Sequence, residues 1–103
     1  MLTAQFKRSR GKLIGFSVSG HAGYDIEGFD IVCASVSSAV MLICNAITEV
    51  FEVKADIVEE DNLISCTIAS CPDGCRLIES LYIHLEALSE DYPENVKVKI
   101  SEV

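Results

Sequence analysis

IVCASVSSAVMLICNAITEVFEV, Ile31 to Val53, is the run from which the fold of this 103-residue chain is best read. It holds no Gly or Pro, and its apolar residues Val32, Val36, Val40, Ile43, Ile47 and Val50 recur at helical spacing. The spacing predicts a helix of about 22 residues, roughly 33 Å at 1.5 Å per residue. Met41, Leu42, Cys44, Ala46 and Phe51 make it apolar almost all round, with polar breaks at Ser35, Ser37, Ser38, Asn45, Thr48, Glu49 and Glu52. Such a helix needs cover on more than one side.

Toward the N-terminus, residues 2–7 and 12–19 read as strands joined by the turn Arg8-Ser9-Arg10-Gly11. In the second strand Ile14, Phe16 and Val18 form an apolar face and Leu13, Gly15, Ser17 and Ser19 alternate with them. Residues 20–30, with Gly20, Gly23 and Gly28, keep no apolar period and read as a loop. Its glycines suit a lid that closes over a bound substrate.

Toward the C-terminus, residues 54–60 and 63–69 form a second hairpin around Glu60-Asp61-Asn62, with Ile64, Cys66 and Ile68 on one face. Pro72 suits the first turn of a helix over residues 72–90, whose stripe is Leu77, Ile78, Leu81, Tyr82, Leu85 and Leu88. Pro93 ends it, and Val96, Val98 and Ile100 alternate as a last strand. The expected fold is α/β, of the α+β type: one domain over residues 1–103, in the order ββαββαβ, with a mixed sheet packed against two helices.

A net charge of −8 speaks against direct nucleic-acid binding, which needs clustered Lys and Arg. The basic group Lys7, Arg8, Arg10 and Lys12 surrounds the first turn and reads as a solvated hairpin tip. By the same reading no stretch approaches the roughly 20 apolar residues of a membrane span, and MLTAQFKRSR lacks the apolar centre of a signal peptide. The expectation is a cytoplasmic protein with no membrane contact, whose five cysteines are free thiols.

His21 lies just past the end of a strand and Cys33 in the first turn of the long helix. A sulfur there faces unpaired backbone N–H groups and the positive end of the helix dipole, which favours thiolate. A neighbouring histidine can take the thiol proton and return it to a leaving amine, and N–H groups of the helix start can hold an oxyanion. Asp30 is an N-cap by type and Ser37 sits one turn beyond Cys33 on its face. Each residue also has a plainer reading: Cys33 as packing, His21 as a turn residue, Asp30 as a cap alone, Ser37 as a partner for a backbone carbonyl.

The run GHAGYDIEGFDIVCASVSS resembles the signature of the ribosomal-processing cysteine protease family of Firmicutes and related bacteria. Gly20, His21, Ala22, Gly28, Asp30, Ile31, Val32, Cys33, Ala34, Val36 and Ser37 fall on that pattern, and length and element order agree over the whole chain. Ser35 departs from it, standing where the family usually has alanine. The resemblance implies a homodimeric cysteine endopeptidase that removes a short N-terminal extension, ending in a Phe-rich apolar stretch, from the precursor of a large-subunit ribosomal protein. By position Cys33 would be the nucleophile and His21 the general base, supported by Asp30, Ser37 and Gly20. No cofactor or metal is implied.

Tyr24 and Phe29 in the loop are candidate contacts for an apolar peptide. Cys66, Cys71 and Cys75, with His84, match no common zinc spacing and read as core or surface groups, and Cys44 as packing. Two other classes remain open: a non-catalytic ribosome-assembly or translation-linked binding module, and a metal-thiolate protein.

Overall fold

Two hairpins and a C-terminal strand make a five-stranded sheet in the order β3-β4-β2-β1-β5, in a computed structural model that describes residues 1–26 and 30–103. The elements are β1 (Leu2–Ser9), β2 (Lys12–Ser19), α1 (Ile31–Asn45) with a π-helical turn over Ala46–Val50, β3 (Ala55–Glu60), β4 (Leu63–Ile68), α2 (Pro72–Asp91) and β5 (Val96–Glu102). β5 pairs parallel with β1, and every other neighbouring pair is antiparallel. The order ββαββαβ and the mixed sheet are as the sequence predicts.

Strand register lines the apolar residues into rows across the sheet. Val98, Ala4, Val18 and Ile64 form one row; Ile100, Phe6, Phe16 and Cys66 form the next. Both rows point to the same face, where Phe6 meets Phe16 with ring centroids 6.1 Å apart and takes the edge of Tyr82 from α2 at 5.2 Å. The opposite face carries Gln5, Lys97 and Lys99, and Gln5 Nε2 donates to Ser101 Oγ at 2.6 Å. β2 and β4 run in opposite directions and their crossovers travel to opposite edges. The right-handed connection that L-residues favour therefore places both helices on one side.

Three details differ from the sequence expectation. The β1–β2 turn is the two residues Arg10 and Gly11, both at positive φ (52° and 78°), a primed turn matched to the strand twist. Between Lys7 and Arg8 the register slips, so Arg8 faces Leu13 and Ile14 is skipped. This bulge turns Leu13 into the core and leaves Ile14 only half-buried, reversing the expected face at that end of the strand. The long helix does not continue as α to Val53: after Asn45 it widens into the π turn, whose Phe51 N–H donates to the Ala46 carbonyl at 2.9 Å. A π turn holds more residues than an α turn, so the buried stripe loses its phase after Ile47. Ile47 is fully enclosed while Val50 is 73% exposed.

A fourth difference concerns apolarity. Ile31–Val50 is long and apolar enough by length and composition to cross a membrane, contrary to expectation, because its Ser, Thr and Asn residues weigh little and Glu49 is its one charge. In this fold the same run is the core helix, burying Val32, Val36, Val40, Ile43, Cys44 and Ile47. A core helix and a membrane span share that composition.

Asp30 starts α1. Its Oδ1 accepts the N–H groups of Val32 and Cys33, each at 3.0 Å, and its carbonyl accepts Ala34 N–H at 3.1 Å. The Cys33 N–H above all, with other backbone donors, holds the Asp30 carboxyl below the usual carboxylate range. The folded state thus binds this proton less readily than the unfolded chain. The stabilisation is complete above the unfolded carboxyl value and is lost as pH falls through the lower folded one. Asp30→Ala is expected to lower the urea midpoint at neutral pH, with the gap to wild type closing under acid; a gap independent of pH would remove the carboxylate from the account.

Candidate active site

β2 ends beside the start of α1, and the short connection between them is tied down at several points. Gly20 N–H donates to the Asn62 carbonyl at 2.9 Å, at the turn between β3 and β4. Its φ is +87°, and a Cβ there would sit 2.6 Å from the Met1 carbonyl oxygen, so only glycine fits against the N-terminal strand. Ala22 is buried at 2% exposure, and its carbonyl accepts Asn95 Nδ2 at 3.0 Å. Asp30 Oδ2 accepts Tyr24 N–H at 3.0 Å, so one carboxylate both caps the helix and holds the loop.

These ties bring the sequence candidates together. Cys33, half-buried in the first turn of α1, accepts the Ala22 N–H on its Sγ at 3.1 Å. Gly20, His21, Asp30, Cys33 and Ser37 all line one cavity of about 630 Å³, within the usual range for a ligand site. His21 is exposed at its rim, and Ser37 lies one turn along the helix from Cys33. Ser35, the departure from the family pattern, back-bonds to the Ile31 carbonyl at 2.7 Å and lies in a different groove, between α1 and α2.

The cavity has an apolar lining from Leu2, Val18, Val36, Val40, Leu63 and Ile64, and Glu59 and Glu60 add negative charge. Its chemistry suits an apolar peptide segment next to a thiol. The walls from β3 and β4, Glu59, Glu60, Leu63 and Ile64, were not legible as part of the site, because those strands reach it only through the sheet order. The holds of Asn62 and Asn95 on the loop were not legible for the same reason. An Asn at a turn or strand start carries no signal of a partner 73 residues away.

Some candidates lie elsewhere. Tyr24 is outside the cavity lining, its ring edge-on to Tyr92 at 5.3 Å, and Phe29 lies outside the described residues. Within the expected lid, residues 20–30, the segment Ala22 to Ile26 carries the ties from Asn95, Asp30 and Tyr92. Asp30 already accepts three of the helix-start N–H groups that the sequence offered to an oxyanion, those of Val32, Cys33 and Ala34. A good N-cap satisfies the donors such a role would use.

Cys44 and Cys66 meet in the core between α1 and β4; the hydrogen bond they share and their burial push the Cys66 thiol up. Cys71 stands at the N-cap of α2, Cys75 is buried one turn on, and His84 faces the groove between the helices. Among the described residues no three His, Cys, Asp or Glu side chains gather to hold a metal.

Known proteins agree with this geometry. The family model described as Cysteine protease Prp matches residues 1–97. Ribosomal processing cysteine protease Prp of Bacillus subtilis (strain 168) is 31% identical over 107 residues, covering 95% of this chain and 96% of that protein. SMU.848 from Streptococcus mutans superposes with a TM-score of 0.82 at 31% identity, covering 100% of this chain and 96% of that one. The essential ribosomal processing protease Prp from S. aureus, solved with a covalently linked product peptide, shares the fold: TM-score 0.93, 24% identity, 98% of this chain and 100% of that one. A half-buried cysteine at a capped helix start, one cavity shared with a histidine, and a sequence match over nearly the full length agree: this chain belongs to the Prp family of cysteine proteases.

Proposed function

We propose that this protein cuts a short apolar N-terminal extension from the precursor of a large-subunit ribosomal protein, with Cys33 as nucleophile and His21 as general base. The observation that carries the reading is Cys33 Sγ held by the Ala22 N–H in the cavity that His21 also lines. Relatives of 31% and 32% identity are ribosomal processing proteases, and the apolar cavity lining suits a Phe-rich segment.

In this reaction His21 takes the Cys33 thiol proton, and the sulfur attacks the scissile carbonyl carbon. The tetrahedral adduct collapses as the C–N bond breaks, and the imidazolium gives its proton to the leaving amine. Water, deprotonated by His21, then attacks the thioester carbon. The C–S bond breaks, and thiol and a new C-terminal carboxylate are released. Asp30 and Ser37 support the site: Asp30 sets the helix start and the loop, and Ser37 presents a hydroxyl one turn from the sulfur.

The reading includes a cytoplasmic homodimer that makes no direct contact with nucleic acid. Ile31 and Leu42, 58% and 68% exposed, leave α1 with apolar surface that neither the sheet nor α2 covers, which favours a second subunit. The charge of −8 favours a basic client over a nucleic acid.

A peptide with a Phe-rich apolar N-terminal extension, followed by mass spectrometry, tests the activity. Cys33→Ala is expected to lower cleavage by about 10⁴-fold or more with the fold intact, and His21→Ala to be nearly as severe. Cleavage that survives Cys33→Ala would return the protein to the binding-module reading. Iodoacetamide is expected to label Cys33 before the enclosed Cys44 and Cys66, and peptide mapping that finds either of those labelled first would contradict the site. Sedimentation at micromolar concentration should report about twice the 11.2 kDa chain mass, and a clean monomer would remove the dimer.

A further inference from the structure

Asn95 stands at the start of β5, far from Cys33 in sequence, yet it reaches the connection that carries His21. Its backbone is fully used: its N–H donates to the Tyr92 carbonyl at 3.0 Å and its carbonyl accepts Leu2 N–H at 2.9 Å. The side chain adds one long-range bond, from Nδ2 to the Ala22 carbonyl at 3.0 Å. A carbonyl demands a donor, so the amide nitrogen must face it. The N–H of the same Ala22 donates to Cys33 Sγ at 3.1 Å. Asn95 holds the carbonyl of a buried residue whose N–H touches the sulfur.

We infer that Asn95 is a positioning residue for catalysis: through the Ala22 carbonyl it aims the Ala22 N–H at Cys33 Sγ and so stabilises the reactive thiolate. The inference rests on Cys33 being the nucleophile. An N–H aimed at a sulfur is a stronger partner for the anion than for the neutral thiol, so losing the aim costs reactivity where the thiol is only partly ionised. Among the described residues, Asn95 is not one that lines the cavity. The bonds that start β5 come from its backbone and survive side-chain replacement.

The test is the rate of iodoacetamide labelling at Cys33 across pH, followed by peptide mass, in Asn95→Ala and in the isosteric Asn95→Asp, which removes the donor. At neutral pH labelling is expected to slow about fivefold, the loss of one ordinary hydrogen bond. At alkaline pH, where every exposed thiol is ionised, the rates should converge with wild type. Peptide cleavage should lose kcat with KM little changed. Should Asn95→Ala fail to fold, Asn95→Asp carries the test. Wild-type labelling at neutral pH in a folded variant overturns the inference, and so does equal slowing at every pH, which would mean blocked access. Cys33→Ala separates the two claims: if it still cuts, the nucleophile assignment fails whatever Asn95 does. If it is inactive while Asn95→Asp matches wild type, only the role of Asn95 falls.

Discussion

The sheet has one apolar face, and both helices must share it. Phe6, Phe16, Cys66 and Ile100 stand in one row across four strands, while the reverse face shows lysines and hydroxyls to solvent. With the second face closed to them, α1 and α2 lie side by side, and Val36 and Val40 of α1 line one cavity with Val18 of β2 and Ile64 of β4. The helix must then begin close to where β2 ends. That placement, forced by where apolar surface can be buried, brings a first-turn cysteine and a strand-end histidine to one cavity.

A second consequence is that the site is assembled from segments remote in sequence. The glycine that ends β2 is pressed against the N-terminal residue, and its N–H is held by the turn between β3 and β4. The next turn of chain is held by the C-terminal part of the fold through Asn95 and Tyr92. Asp30 closes the arrangement by serving helix and loop with its two carboxylate oxygens. Its carboxylate and carbonyl oxygens take the N–H groups of Val32, Cys33 and Ala34 at the start of α1. The Ala22 amide supplies the donor that touches Sγ.

The same packing leaves apolar surface over. A helix apolar on nearly every side can bury only one of them on a one-faced sheet. Met41, Leu42 and Phe51 remain exposed, and a groove runs between α1 and α2. Such composition satisfies the criterion for a membrane span while serving as a core helix. Hydropathy averages over a helix and is blind to which side is packed.

Element types and order were legible in the sequence because they rest on local periodicity: period two in the strands, helical spacing in α1 and α2, and glycine or proline at the breaks. That His21, Asp30, Cys33 and Ser37 would come together was legible as well: they lie within 17 positions of one another around a single helix start, and they line one cavity. Local pattern misled where backbone hydrogen bonding changed its period. The bulge at Lys7/Arg8 exchanged Leu13 for Ile14, and the π turn after Asn45 put Val50 into solvent. Strand order, the walls from β3 and β4, and the holds of Asn62 and Asn95 on the loop came only from the tertiary structure. They depend on contacts between segments that no local spacing encodes, made where the single apolar face brings distant strands together.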